Sequence, residues 1–229
     1  VFFVLSGYVV AYVTHQKETD WRSYAASRLS RVYSVVIPAL LLTLLADAIG
    51  RSQSLALYKY PWDQFALRLT GAMTMLNEFW FVAITPFSNV PYWSIAYESW
   101  FYLIFGVFMF APPRLRWPLA AGLLLLVGPK IAVMFPLWLA GVALYRWRDV
   151  QLRSTGAAVA LVVLSWVGII GLHLGGFFDV TYDLTRQLLG DWLFVQMAFS
   201  KFAMGDYVLA ALVVLNFIGM RTLAPWVDR

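Results

Sequence analysis

Two sets of polar side chains stand out in a greasy sequence, and each has a type and spacing that could do chemistry. The first is Ser94, Glu98 and Tyr102, at i, i+4 and i+8 within residues 89–105. On a helix these positions form one narrow polar stripe. A charged carboxylate at membrane depth costs roughly 2.5 kcal/mol or more unless it is paired, protonated or facing water. Glu98 is therefore either a functional acid or a carboxyl tied to a neighbouring arginine for packing. The second set is Arg28-Leu29-Ser30-Arg31. Two arginines three apart on a helix converge on phosphate oxygens, which guanidinium groups bind bidentately. Juxtamembrane arginines also serve as topology and headgroup anchors, and the spacing alone leaves both readings open.

Other residues are weaker signals. His15 and His173 are either groups titrating near neutral pH or plain interfacial residues. They are too far apart in sequence for a metal-ligand cluster, so no metal site is expected. Cysteine is absent, which excludes disulfides and thiolate chemistry. Ser6-Gly7 is a small-residue notch that another helix or a ligand can approach closely. Trp62, Trp80, Trp93 and Trp100 gather around one outer segment, where indoles either form an interface belt or stack on a sugar ring.

The elements that must position these residues are membrane helices. The chain is 62% hydrophobic and only 13% charged, with mean hydropathy +0.72, which a soluble domain of 229 residues could not bury. No alternating barrel pattern is present. The fold class expected is all-α, a polytopic transmembrane bundle forming one domain over residues 1–229. The net charge of +5 calls for no nucleic-acid partner, because basic residues collect in cytoplasmic loops.

Residues 1–14 read as a span. The basic stretch 15–31 is cytoplasmic, with Asp20 capping a short helix on which Tyr24, Arg28 and Arg31 share a face. Residues 32–49 cross outward, kinked at Pro38. Segment 65–84 contains Arg68, Asn77 and Glu78 and reads as re-entrant or interfacial. Asn89 caps the next span, 92–110, with Pro91 in its first turn. Spans follow at 117–128, 132–145, 155–174, 192–204 and 207–220, with an acidic outer loop at 175–191. This gives about eight spans, some short for a hydrocarbon core of about 30 Å. The chain begins at Val1 inside an apolar run and stops after a polar turn, so both ends are expected to be cut.

In order, Phe2-Phe3-Val4-Leu5-Ser6-Gly7-Tyr8-Val9-Val10, then Arg28-Leu29-Ser30-Arg31-Val32-Tyr33, then Trp93-Ser94-Ile95-Ala96-Tyr97-Glu98-Ser99-Trp100-Phe101-Tyr102 resemble the acyltransferase 3 family. The resemblance covers roughly residues 1–110, with a local echo from Phe135 to Gly141. It implies an integral membrane O-acyltransferase with about ten spanning helices, of which about eight lie in this chain. Such an enzyme moves an acyl group, often acetyl, from cytoplasmic acyl-CoA to a hydroxyl of a carbohydrate or glycolipid acceptor outside. Acyl-CoA (acetyl-CoA) is then a co-substrate, and no cofactor is held permanently. The bacterial inner (plasma) membrane is the location implied.

The mechanism expected from the resemblance places the acyl-CoA phosphates on Arg28 and Arg31 and the pantetheine arm in the Ser6-Gly7 notch. The general base is a histidine in a helix ahead of Val1, so neither His15 nor His173 inherits that role, and the chain alone is expected to be inactive. Glu98 orients that histidine or stabilises its imidazolium. Ser94 or Tyr102 hydrogen-bonds the acceptor or the developing oxyanion. Tyr97 and Ser99 depart from the residues that commonly flank this glutamate in the family. Two other classes compete: a transporter or flippase for a lipid-linked saccharide that uses Glu98 as an intramembrane proton site, and a structural subunit with Glu98 salt-bridged.

Overall fold

The computed structural model describes residues 1–55, 58–150 and 152–227, and no strand occurs among them. The polar chain end at Asp228 and Arg229 lies outside the described residues. Among the described residues nine α-helices follow one another: α1 (Phe2–Lys17), α2 (Trp21–Gln53), α3 (Phe65–Met73), α4 (Trp93–Phe110), α5 (Arg116–Val127), α6 (Pro129–Arg146), α7 (Thr155–Leu174), α8 (Phe177–Gln196) and α9 (Ala203–Val227). Contacts divide the chain, read from sequence as one domain, into two units. One is Glu18–Ala132, and the other joins Val1–Lys17 to Val133–Arg229.

Within Glu18–Ala132, the longest helix starts at a cap. The Asp20 carboxylate accepts from the backbone N–H groups of Arg22 (2.7 Å) and Ser23 (2.9 Å), and the Asp20 N–H donates to the Ser23 hydroxyl. This reciprocal capping box satisfies donors that a helix start would leave without partners. The sequence suggests a short helix followed by a separate crossing, but α2 continues unbroken through both. No Gly or Pro interrupts it before Pro38, which sits inside the helix. Its 33 residues span about 50 Å, well beyond a hydrocarbon core of about 30 Å.

The reading of 65–84 as less than a full crossing matches the backbone there. α3 has only nine residues and ends at Met73, and turns follow it. Three non-glycine residues of the stretch before α4, namely Met75, Trp80 and Phe87, adopt left-handed backbone angles. Such conformations persist only where the surroundings enforce them. Here Asp47 of α2 accepts from both the hydroxyl and the backbone N–H of Ser88, and Lys130 of α6 grips Glu78. Asn89 is not a side-chain cap. Its amide donates to Thr43 of α2 (3.1 Å), and a short 3-10 turn at Val90–Tyr92 leads into α4. α4 stops before Pro112, since a residue preceding proline avoids the helical region.

In the other unit, small residues set the helix approaches. A Cβ on Gly7 of α1 would lie 2.0 Å from the Trp138 carbonyl oxygen of α6, and one on Gly141 would lie 1.9 Å from the Val4 carbonyl oxygen. α7 packs on α9, where Asn216 donates to Ser165 (2.8 Å). This is the small-residue and polar-glue packing of membrane helices. α7 has the bounds expected from sequence, set by the Ser154 cap and Gly175. Two expectations fail here. Residues 175–191 belong mostly to helix α8 rather than to a loop, with a break at Gly190 (φ 72°). Residues 192–204 form no single span, because a 3-10 turn at Ala198–Phe202 separates α8 from α9.

Among the described residues four helical stretches are long and apolar enough to cross a membrane: Trp21–Gln53, Val90–Phe110, Thr155–Leu174 and Ala198–Ala224. The expected count of about eight is not confirmed, since four meet the length and composition of a full span. The described residues are all-helical, and these four helices make the chain a membrane protein.

Candidate functional site

The site is built where α2 and α4 meet within Glu18–Ala132. Tyr24 of α2 donates its hydroxyl to the Tyr102 carbonyl of α4 (2.7 Å). Gly106, one turn beyond Tyr102, makes room for that ring. A Cβ there would stand 2.6 Å from the Tyr24 Cε1. One turn along α2, Arg28 turns inward and is only 5% exposed. Its guanidinium carbon lies over the rings of Tyr24 (5.4 Å) and Tyr102 (5.7 Å), a cation–π arrangement.

A buried guanidinium needs a counter-charge, and Glu18 supplies it. The Arg28 Nη2 donates to the Glu18 Oε1 at 2.6 Å, with both side chains almost fully buried. Beside this pair is a pocket of about 170 Å³, lined by Tyr24, Arg28, Val32, Met75, Ser99 and Tyr102 among others. Met75 reaches it from the left-handed turn after α3 (φ 59°), and its carbonyl is held by the Trp100 indole (2.9 Å). The Tyr92 hydroxyl fixes the same turn through the Ala72 carbonyl. The Arg28 Nε is buried and finds no acceptor among the described residues. The site is thus an aromatic and apolar pocket with one charge-balanced guanidinium in its wall.

The predicted site residues are distributed unevenly around it. Arg28 and Tyr102 come together in the pocket. Arg31 is exposed and does not line it, so the two arginines do not converge on one point. Glu98 is buried at 8% exposure, one turn before Tyr102 on α4, and the pocket is lined by its neighbour Ser99 instead. Ser94 donates back to the Pro91 carbonyl (3.0 Å), a local bond at the start of α4. Ser6 and Gly7 lie on α1, where the Trp138 indole donates to the Ser6 hydroxyl (3.2 Å) and the Trp138 backbone fills the space above Gly7. Helix α6 occupies the notch, where the sequence suggests room for a pantetheine arm.

His15 shares a hydrogen bond with the Tyr145 hydroxyl (3.0 Å), and His173 is exposed near the end of α7. Of the four tryptophans, Trp62 packs on Phe65 and Phe87, Trp80 donates to the Leu126 carbonyl, and Trp100 holds Met75. Among the described residues no group of three His, Cys, Asp or Glu side chains is arranged to hold a metal ion.

Two buried pairs are missed by sequence reasoning. Glu18 lies ten residues before Arg28 and across the turn capped by Asp20, so helical periodicity does not connect them. Lys130, fully buried, donates to both Glu78 (2.6 Å) and the Val82 carbonyl (2.6 Å), across 52 residues for the first. The one signal for this second pair is the rarity of charge in an apolar chain, which makes every buried acid a search for a buried base. No protein-family model, no curated protein and no solved structure matches the chain.

Proposed function

We propose that the chain carries the acyl-donor part of an integral membrane O-acyltransferase, which moves an acetyl or related acyl group from cytoplasmic acyl-CoA to a carbohydrate hydroxyl outside a bacterial inner membrane. The observation that carries this reading is the α2–α4 pocket. A buried arginine and a tyrosine from two of the three resembling motifs meet there, although 74 positions separate them in the sequence. In this reading Arg28 binds the donor, and Glu98 steadies the imidazolium of the general base from inside α4. The acceptor oxygen attacks the thioester carbonyl, the C–O bond forms, and the C–S bond breaks. The proton taken from the hydroxyl leaves with the coenzyme A thiol.

The test is label transfer from [¹⁴C]acetyl-CoA in membranes from cells expressing the complete gene, including the helix that carries the general base. The expected result is label in a saccharide fraction, reduced by at least about 100-fold in Glu98→Gln. Absence of transfer by the unaltered full-length protein overturns the reading. Full transfer by Glu98→Gln removes Glu98 from it.

A further inference from the structure

We infer that the α2–α4 pocket takes a neutral hydrogen-bond acceptor on an apolar chain, an amide or ester carbonyl, and does not take a phosphate. This deepens the donor-site reading and rests on it for the identity of the carrier. Charge comes first. Among the described residues Arg28 is the only charged one lining the pocket, and Glu18 already neutralises it at 2.6 Å. A phosphate brought against Arg28 would add negative charge beside a buried carboxylate with no second cation in the wall. Arg31, the residue expected to supply it, is exposed and outside the lining. Burial of an anion without a compensating cation is strongly unfavourable.

The donors point the same way. The hydroxyls of Tyr24, Tyr33 and Ser99 each donate to a backbone carbonyl, at 2.7, 2.7 and 2.8 Å. The Arg28 Nε–H is left buried with no acceptor among the described residues. Such a donor calls for one acceptor oxygen. The remaining wall, from Ala25, Leu29, Val32, Met75 and Leu103, suits a chain of methylenes. A carbonyl on an apolar chain satisfies the donor without disturbing the ion pair. The two sources of that chemistry are the pantetheine arm of an acyl donor and the ester region of a membrane lipid.

The chain has no cysteine, so Leu103→Cys places its only thiol in the pocket wall. The experiment measures maleimide alkylation of this variant in maltoside detergent, with protection by three probes: N-pentyl pantothenamide, its 4′-phosphate, and 1-octanoylglycerol. Ser99→Cys repeats the measurement one turn earlier on the same face of α4, in case the first variant folds poorly. Both pantothenamides are expected to protect at concentrations within about threefold of one another, with no change between low and high salt, because no net charge is recognised. Glu18→Gln, which uncovers the guanidinium charge, is expected to turn the preference toward the phosphate by at least about tenfold.

Protection that is about tenfold stronger for the phosphate in the presence of Glu18 overturns the inference and leaves the acyl-CoA reading standing. Protection by 1-octanoylglycerol alone upholds carbonyl recognition and assigns the pocket to lipid, not donor. If no probe protects either variant, the inference falls, while the acetyl-transfer assay judges the enzymatic reading separately.

Discussion

Replacing Gly106 with alanine tests whether the α2–α4 contact is as tight as the geometry says. The new Cβ would sit 2.6 Å from the Tyr24 Cε1 and 3.1 Å from its Cδ1. Ordinary carbon contacts begin near 3.5 Å, so the ring must retreat by about 0.9 Å. Its hydroxyl is tied at 2.7 Å to the Tyr102 carbonyl, in a buried setting. A retreat of that size stretches the bond past useful length and leaves a buried carbonyl without its donor, which costs roughly 1–3 kcal/mol. An off-rotamer tyrosine adds about 0.5–1.5 kcal/mol. Alanine in a helix interior gains about 1 kcal/mol over glycine. The clash outweighs the gain, and net destabilisation of about 1–3 kcal/mol is expected.

SDS titration in mild detergent, followed by circular dichroism, gives the unfolding free energies. Gly122→Ala in α5 is the internal control, because a Cβ there meets nothing within 4 Å. It should gain up to about 1 kcal/mol from propensity alone. Combining Gly106→Ala with Tyr24→Leu removes the ring that clashes, so the double variant should be more stable than the sum of the singles by at least about 1 kcal/mol. The reasoning is refuted if Gly106→Ala is as stable as Gly122→Ala, or if the two changes simply add.

Three further outcomes follow from other contacts. Lys130→Met leaves the Glu78 carboxylate buried without its base and should cost roughly 3–5 kcal/mol by the same titration, while adding Glu78→Leu should recover most of it; a single variant within about 1 kcal/mol of the parent contradicts the pair's role. Asp20 accepts from the Ser23 and Arg22 backbone N–H groups, which hold its carboxyl below the usual range. Its folded value is depressed, so capping is intact above the unfolded value near 3.9 and is lost as pH falls through the folded one. Hydrogen exchange at Arg22 and Ser23 should accelerate over that fall, and Asp20→Asn should flatten the response. Gly7→Ala drives a Cβ into the Trp138 backbone of α6, which cannot swing aside. Separation of α1 from α6 should cost at least about 2 kcal/mol, and a thermal midpoint in detergent equal to the parent's would contradict the close approach.

Local chemistry was the legible part of this fold. Asp20 reads as a cap because a carboxylate beside two backbone N–H groups has few better uses at a helix start. Ser154 and Gly175 bound α7 where hydropathy places it. Hydropathy fails where the backbone turns without a polar signal. Residues 192–204 are apolar enough to be one span, but Ala198 takes a left-handed angle (φ 48°) that no alanine advertises. Residues 175–191 carry acids that suggest an outer loop, and an amphipathic helix carries them equally well.

The site shows the same limit more sharply. At 100° per residue, Arg31 lies only about 60° around the helix from Arg28, so periodicity puts both on one face. Periodicity gives a direction and says nothing about what stands opposite. Arg28 meets Tyr102 and Glu18 and is buried, whereas Arg31 is left exposed. The stripe on α4 divides for a similar reason: Glu98 and Tyr102 are buried, but Ser94 turns back to Pro91 at the helix start. A motif read along the chain records which side chains are present, and the partner across the gap decides what each can bind. Glu18, which no motif includes, is the residue that converts Arg28 from a free cation into a neutral pair whose buried Nε–H has no acceptor among the described residues.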